Sequence, residues 1–126
     1  MKTLYLCGPI NGCTDAEAND WRTYVKGRWA GPTLDPMRRD YRGREHEAVR
    51  EIVELDKADV LASGIVLANC PKPSAGTSME ILFAWENGVP VVAVVPEGAP
   101  VSPWIRYHSA HVVHSLSDAL AACETL

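Results

Sequence analysis

Short apolar segments alternate with longer amphipathic segments along most of the chain. Apolar runs of strand length lie at residues 3–7, 33–35, 64–69, 91–95 and 111–114. Helical periodicity and capping residues predict helices at residues 15–29, 44–62, 77–88 and 116–123. Strands that alternate with helices are typical of a parallel α/β sheet. We therefore predict an α/β fold for residues 1–126, a single domain doubly wound around a five-stranded parallel sheet of the flavodoxin-like (Rossmann-like) type.

The strand order of such a sheet, 2-1-3-4-5, determines where a ligand would bind. In doubly wound sheets the ligand lies beyond the carboxyl ends of the strands, at the point where the strand order reverses. Here the reversal falls between the first and third strands, so the loops at residues 7–13 and 69–76 should meet. We expect functional residues in or beside these two loops.

Composition and charge narrow the classes of partner. The 126 residues are 47% hydrophobic and 22% charged, which is ordinary for a globular protein, and the net charge is −4. No basic run is present, so a nucleic acid polymer is not an expected partner. The four cysteines form no CxxC pair and no segment is long and apolar enough to cross a membrane. We therefore expect a cytoplasmic protein with reduced thiols and no membrane partner.

The first unusual carboxylate lies in the predicted helix at residues 44–62. Apolar residues there recur at helical spacing, namely Val49, Ile52, Val53 and Val60. Asp56 falls within this stripe, and a carboxyl group that faces a core has a raised pKa and is a good proton donor. The alternative is that Asp56 lies at the edge of the stripe, bonded to an arginine or to backbone N–H groups.

The second carboxylate, Glu80, falls in the first turn of a helix predicted to open at Gly76 and Thr77. Backbone N–H groups at a helix start favour an ionised carboxylate, which is a competent nucleophile. The alternative is structural, because the segment from Thr77 to Glu80 is itself a capping box. One carboxyl group that holds a proton beside one that stays ionised is the arrangement used to break glycosidic bonds.

Three segments of the chain resemble a known family. They are YLCGPING at residues 5–12, Asp56 in its helix, and PSAGTSMEI at residues 73–81. Together they resemble the nucleoside 2-deoxyribosyltransferase superfamily, which includes base-exchanging transferases and (deoxy)nucleoside 5′-monophosphate N-glycosidases. The resemblance extends from residue 3 to about residue 108.

The resemblance implies roles for individual residues. Glu80 would form a covalent glycosyl intermediate, Asp56 would manage the proton on the base, and Tyr5 would orient the nucleophile. No metal or organic cofactor is expected. The substrate would be a nucleoside or nucleotide, and the protein would be a homodimer or higher homo-oligomer in which Ser102 completes the neighbouring subunit's site.

The resemblance also bears on the choice between hydrolase and transferase. Ser74 stands where the base-exchanging enzymes have an Asp and the monophosphate hydrolases have a Ser that donates to phosphate. Ser102 also resembles the phosphate-binding branch. Backbone N–H groups of the first loop and of the helix start would add affinity for an anion. The substrate-binding residues expected in these two segments are Gly8, Pro9, Ile10, Asn11, Gly12, Gly76 and Thr77.

Two departures from the hydrolase pattern leave the base-exchanging transferase open as an alternative. Pro9 and Asn11 occupy positions where the deoxynucleotide hydrolases have Ser and Arg, so two phosphate donors are missing. Arg38, Arg39 or Arg42 could replace them.

The segment DPMRRDYRG at residues 35–43 ends a strand at the ligand edge of the sheet. Arg39, Asp40 and Tyr41 could bond to a base or stack on it, or could form a solvated charge cluster. By contrast, Trp21 and Trp29 share one face of the first helix, which predicts a packing role. Two further classes remain open: a non-catalytic nucleotide-binding module, which would not need Asp56, and a nicotinamide-nucleotide cleaving domain.

Overall fold

The computed structural model describes all 126 residues and contains one sheet of five parallel strands. The strands are β1 (Leu4–Cys7), β2 (Thr33–Leu34), β3 (Ile65–Asn69), β4 (Val91–Val94) and β5 (His111–Val113). Their order is β2-β1-β3-β4-β5, and every neighbouring pair is parallel. The predicted flavodoxin-like α/β fold is confirmed, with the reversal of strand order between β1 and β3.

Five helices connect and cover the strands. They are α1 (Asp15–Arg28), α2 (Val49–Ala62), α3 (Ala75–Glu86), α4 (Pro103–Tyr107) and α5 (Leu116–Glu124). Two short 3₁₀ turns, Pro36–Arg38 and Glu45–Glu47, lie between β2 and α2. No helix is long and apolar enough to cross a membrane.

The alternation of side chains along β1 assigns its residues to two different cores. Leu4 and Leu6 belong to a cluster that includes Trp21 and Val25 of α1 and Leu120 of α5. Successive residues of a strand point to opposite faces of its sheet. The remaining two residues of β1 therefore face the other side, towards α2 and α3.

The second cluster begins with Tyr5 and Cys7 of β1 and includes Val60 of α2 with Ile81 and Ala84 of α3. The polar groups of Tyr5 and Cys7 are thus directed into the layer that also carries α2 and α3. This geometry allows a tyrosine and a cysteine of the central strand to reach side chains on those helices.

The start of α1 agrees with its capping signal. The Thr14 hydroxyl accepts a hydrogen bond from the Glu17 N–H, and the Glu17 carboxylate accepts one from the Thr14 N–H. Trp21 and Trp29 are both buried against the sheet. Their predicted packing role is confirmed.

The predicted start of α3 was wrong. The N-cap residue is Ser74, whose hydroxyl accepts a hydrogen bond from the Thr77 N–H at 3.4 Å, so the helix begins at Ala75. Ser74 has the extended backbone of an N-cap, φ −148° and ψ 122°, which leaves Thr77 inside the helix. There is therefore no capping box between Thr77 and Glu80, and Glu80 lies in the second turn.

Helix α2 also differs from its prediction. It begins at Val49 rather than at residue 44, because Gly43 has a left-handed φ of +85° and a 3₁₀ turn follows it. The apolar stripe does not face the core along its whole length. Val49 and Val53 are 61% and 46% exposed, whereas Val60 is buried. Helix α4 was not predicted at all, and Ser102 caps it through the Trp104 N–H at 3.2 Å.

Candidate active site

Glu80 is held by two side chains of β1. The Tyr5 hydroxyl donates a short hydrogen bond to Glu80 Oε2, and the Cys7 thiol lies 3.7 Å from Glu80 Oε1. Burial and the charge of Glu80 raise the pKa of both the Tyr5 hydroxyl and the Cys7 thiol, so both stay protonated as donors. Each oxygen of the Glu80 carboxyl group therefore has its own donor and a fixed direction.

Burial raises the pKa of Glu80 from its ordinary value near 4.5 to about 7. The donors Tyr5 and Cys7 oppose this shift, whereas the nearby charge of Asp56 adds to it. The expected position of Glu80 in the first turn of α3, where the helix start would favour its ionised form, was wrong. The stabilising effect of a helix N-terminus falls off within the first turn, and Glu80 lies one turn further along α3.

Asp56 combines the two possibilities that its sequence position allowed. Its side chain is 23% exposed, and burial raises its pKa. It is also bonded to an arginine, because Arg39 Nη2 lies 3.3 Å from Asp56 Oδ1 and lowers that pKa in turn. Asp56 is therefore a partly buried carboxyl group at the edge of the α2 stripe, paired with one cation.

The carboxyl groups of Asp56 and Glu80 are near enough for the charge of one to affect the titration of the other. Two such groups release their protons in steps that belong to the pair rather than to either residue. Arg39 forms an ion pair with Asp56, whereas no cation forms one with Glu80. Arg39 therefore favours the ionised form of Asp56.

Arg22 is a buried cation that the sequence analysis missed. Its side chain is fully buried on α1 and donates to the carbonyl oxygens of Leu6 and Gly8 at 3.1–3.3 Å and to that of Ala18 at 2.6 Å. Its Nε also lies 3.5 Å from Asp35 Oδ1. Arg22 thus fixes the end of β1 and the turn after it. Its position among the buried residues of α1 was the signal that could have identified it.

The turn at residues 8–12 is packed closely against its surroundings. A Cβ atom on Gly8 would lie 2.7 Å from Trp21 Cζ2 and 3.3 Å from the Asn69 carbonyl oxygen, so only glycine fits there. The Cys13 N–H donates to the Ile10 carbonyl at 3.0 Å and closes the turn. Pro9 is buried, whereas Asn11 and Gly12 are exposed at its tip. The structure therefore places this turn beside the end of β3, as the strand order predicted.

The three arginines suggested as phosphate donors are already paired with carboxylates. Arg38 and Arg39 bind Asp59 at 2.8 and 2.7 Å. Arg42 binds Asp15 at 2.6 Å and Asp40 at 2.8 Å. A phosphate would have to compete with these ion pairs.

Of the three residues suggested for base recognition, only Arg39 contacts the carboxyl pair. Asp40 bonds to Arg42, and the Tyr41 ring lies 5.2 Å from the Arg44 guanidinium. Neither Asp40 nor Tyr41 forms a hydrogen bond with Asp56 or Glu80. Asp40 is exposed and Tyr41 is half-buried.

A second part of the predicted site lines a cavity of about 640 Å³ between α3 and α4. Ser74, Thr77 and Ser102 contribute to its walls, together with apolar side chains of α3 and α4. Tyr5, Asp56 and Glu80 do not line it. Thr77 connects the two parts, because it lines the cavity and its carbonyl oxygen lies 3.8 Å from the Cys7 thiol. Its hydroxyl is buried and has no hydrogen-bond partner.

The sequence matches no family model, and no curated protein matches it significantly. Solved structures match over nearly the whole chain. A conserved protein from Enterococcus faecalis V583 is 21% identical and superposes with a TM-score of 0.75 over 99% of this chain and 98% of its own. A 2-deoxyribosyltransferase from Bacillus psychrosaccharolyticus is 14% identical, with a TM-score of 0.76 over 94% of this chain and 90% of its own.

The third structure is a CMP N-glycosidase, BcmB, from Clostridium botulinum. It is 16% identical to this chain and has a TM-score of 0.60 over 98% of this chain and 99% of its own. At these identities the likeness establishes a shared fold. The resemblance to the nucleoside 2-deoxyribosyltransferase superfamily, including its N-glycosidases, is therefore confirmed at the level of the fold.

Proposed function

We propose that this chain is an enzyme of the nucleoside 2-deoxyribosyltransferase superfamily that cleaves the N-glycosidic bond of a (2′-deoxy)nucleoside 5′-monophosphate. The observation that carries the proposal is the Glu80 carboxyl group, oriented by Tyr5 and Cys7 and adjacent to a second carboxyl group on Asp56. A non-catalytic binding module has no need for two interacting, partly buried carboxyl groups, which lower stability.

In the proposed reaction, ionised Glu80 attacks C1′ of the sugar as the bond from C1′ to the base nitrogen breaks. Protonated Asp56 donates its proton to the departing base, which leaves a glycosyl ester on Glu80. Asp56, now ionised, accepts a proton from a water molecule whose oxygen attacks C1′. The ester bond breaks, and Glu80 and the proton on Asp56 are restored. The cycle requires one proton on the carboxyl pair, located on Asp56 rather than on Glu80 when the sugar is attacked.

The hydroxyl groups at the cavity support a phosphorylated substrate. The Ser74 oxygen accepts the Thr77 N–H, so its hydrogen is free to donate to a phosphate oxygen. The Thr77 hydroxyl lacks a partner, and backbone N–H groups at the start of α3 attract an anion. A 5′-phosphate at this end of α3, with the sugar directed towards Glu80, would use both parts of the site.

A base-exchanging nucleoside 2-deoxyribosyltransferase is the second candidate. It is supported by the higher TM-score of the 2-deoxyribosyltransferase, 0.76, than of the CMP N-glycosidase, 0.60. It is also supported by the ion pairs that Arg38, Arg39 and Arg42 already form with carboxylates, because a phosphate would have to compete with them. In this alternative a second base, rather than water, would attack the glycosyl ester.

We also propose that the chain forms a homodimer or higher homo-oligomer through the layer of α2, α3 and α4. Met79, Trp104 and Tyr107 are all exposed there beside the cavity, and contiguous exposed apolar surface is typical of protein contacts. Ser102, which is exposed at the start of α4, would then lie close to the neighbouring subunit's site. Four free cysteines support a reducing, cytoplasmic location.

A chromatographic assay of the purified protein tests the proposed function. A panel of nucleosides and their 5′-monophosphates is incubated with and without a second free base. Release of base from monophosphates alone, lost in Glu80→Ala and retained in the exposed Glu86→Ala of the same helix, is the expected result. A new nucleoside that appears only with the added base would establish the transferase, and no product from any substrate would contradict an enzymatic function.

A further inference from the structure

Asp59 is a buried carboxylate on α2, one turn after Asp56, and it holds two arginines at once. Its Oδ1 lies 2.8 Å from Arg38 Nη2, and its Oδ2 lies 2.7 Å from Arg39 Nη2. Asp59 is only 8% exposed, although neither the sequence motifs nor the proposed reaction assigns it a role. Both arginines belong to the segment at residues 35–43, so Asp59 anchors that segment on α2.

The nitrogen of Arg39 that binds Asp59 is the same nitrogen that contacts Asp56. The distance from Arg39 Nη2 is 2.7 Å to Asp59 but 3.3 Å to Asp56. A guanidinium binds a carboxylate most strongly through two parallel hydrogen bonds. Asp56 receives a single long contact instead, because Asp59 takes the shorter one.

We propose that Asp59 is a positioning residue, which keeps a proton available on Asp56 by holding Arg39 away from a complete ion pair with it. The importance of that proton rests on the proposed function, in which Asp56 protonates the departing base. The division of Arg39 between two carboxylates is a property of the protein alone and can be measured without substrate.

Charged or titratable groups face Asp56 from every surrounding element. They are Arg39 from the segment at residues 35–43, Asp59 on its own helix, Arg22 on α1, Glu80 on α3 and Tyr5 on β1. Arg39 and Arg22 lower the pKa of Asp56, whereas the charge of Asp59 raises it. Loss of Asp59 would remove a raising charge and would also release Arg39 to bind Asp56 alone. Both effects lower the pKa of Asp56.

The test is a ¹³C NMR titration of the Asp56 side-chain carboxyl carbon in the substrate-free protein, with the signal assigned by its absence from Asp56→Asn. In Asp59→Asn the midpoint of Asp56 should fall by on the order of one pH unit, and in Arg39→Met it should rise. A general disturbance of the fold would not move the midpoint of Asp56 down in Asp59→Asn and up in Arg39→Met. Glu54→Gln, which removes an exposed carboxylate from the same helix, is the matched control and should leave the midpoint unchanged.

An unchanged or raised midpoint in folded Asp59→Asn would overturn the proposal. If that variant does not fold, Arg38→Met provides the same test, since Arg38 is 43% exposed. Without Arg38, both oxygens of Asp59 are free for Arg39, so the midpoint of Asp56 should rise, and an unchanged midpoint would overturn the proposal. Because the titration needs no substrate, it can fail while Glu80-dependent turnover succeeds, and the reverse is equally possible.

Discussion

The two faces of the sheet are covered by helices of different character. On one face, α1 and α5 bury an apolar core that includes Leu6, Leu67 and Leu120, and they expose no large hydrophobic side chain. On the other face, α2, α3 and α4 leave many large hydrophobic side chains exposed. These are Val49, Val53, Leu55, Leu61, Met79, Trp85, Trp104 and Tyr107.

The second face also contains the buried titratable groups of the candidate site. Tyr5, Cys7 and Glu80 meet there inside the core, and Asp56 and Asp59 lie at its edge. Burial of ionisable groups lowers stability unless they are paired. Under the proposed function, the α1–α5 face supplies stability, and the opposite face carries the reacting groups and the contact surface.

The largest expected effect concerns Arg22, which binds the end of β1 and the turn after it. Arg22→Met should lower the free energy of unfolding by about 3 kcal/mol or more, because the carbonyl groups of Leu6 and Gly8 lose their donors. Urea denaturation measures the loss, and Arg28→Met, an exposed arginine of the same helix, should change it by only about 0.5 kcal/mol. Equal effects of the two variants would show that Arg22 does not fix the turn.

A substitution confined to the α1–α5 face should affect stability alone. Leu67→Ala removes a fully buried side chain and should lower the free energy of unfolding by about 3 kcal/mol. The kcat of the folded fraction should be unchanged, since Leu67 points away from the site. A fall in kcat without a fall in stability would break the proposed division between the faces.

Glu80→Gln should have the opposite pattern, abolishing turnover while increasing stability at high pH. The folded-state pKa of Glu80 is raised to about 7, so its contribution to wild-type stability is present below pH 4.5 and is lost as pH rises through 7. Glutamine does not titrate, so the variant does not lose stability as pH rises through 7. Its stability relative to wild type should therefore increase by about 2–3 kcal/mol between pH 4.5 and pH 8, measured by urea denaturation. A pH-independent difference would contradict the raised pKa.

The smallest effect on folding is expected at the exposed aromatic surface. Trp104→Ser should change the free energy of unfolding of the monomer by less than about 1 kcal/mol, because the side chain is 70% exposed. Light scattering should instead show weaker self-association than in wild type. Monomeric wild-type protein over the whole accessible concentration range would contradict the proposed oligomer.

The alternation of strands and helices was sufficient to predict the strand order and the meeting of the two loops. Element boundaries were less predictable where two signals overlap. Ser and Thr both favour the N-cap position, so the sequence offers Ser74 and Thr77 equally, and only the path of the chain after β3 selects Ser74. Helix α4 has five residues, which is too short for a periodic pattern to appear.

The charges within the site were not predictable from local sequence. Arg39 pairs with Asp56 and Asp59, which lie 17 and 20 positions away, and such partners are known only after folding. The raised pKa of Glu80 depends on burial by β1 and α2, which no pattern within α3 reports. Residue types and spacing singled out Asp56 and Glu80, and the family resemblance added Tyr5. The structure brings these three side chains together, and their electrostatic environment required the structure.

Under the proposed function Glu80 carries the sugar during turnover, and mass spectrometry of the enzyme can detect this covalent intermediate. A 2′-fluoro analogue of the nucleoside monophosphate that proves to be a substrate should react slowly, because fluorine destabilises the oxocarbenium-like transition state. We predict a glycosyl adduct on the peptide that contains Glu80, absent from Glu80→Gln and present in Glu86→Gln. Turnover of the parent substrate with no adduct on Glu80, or with an adduct on another residue, would contradict the account.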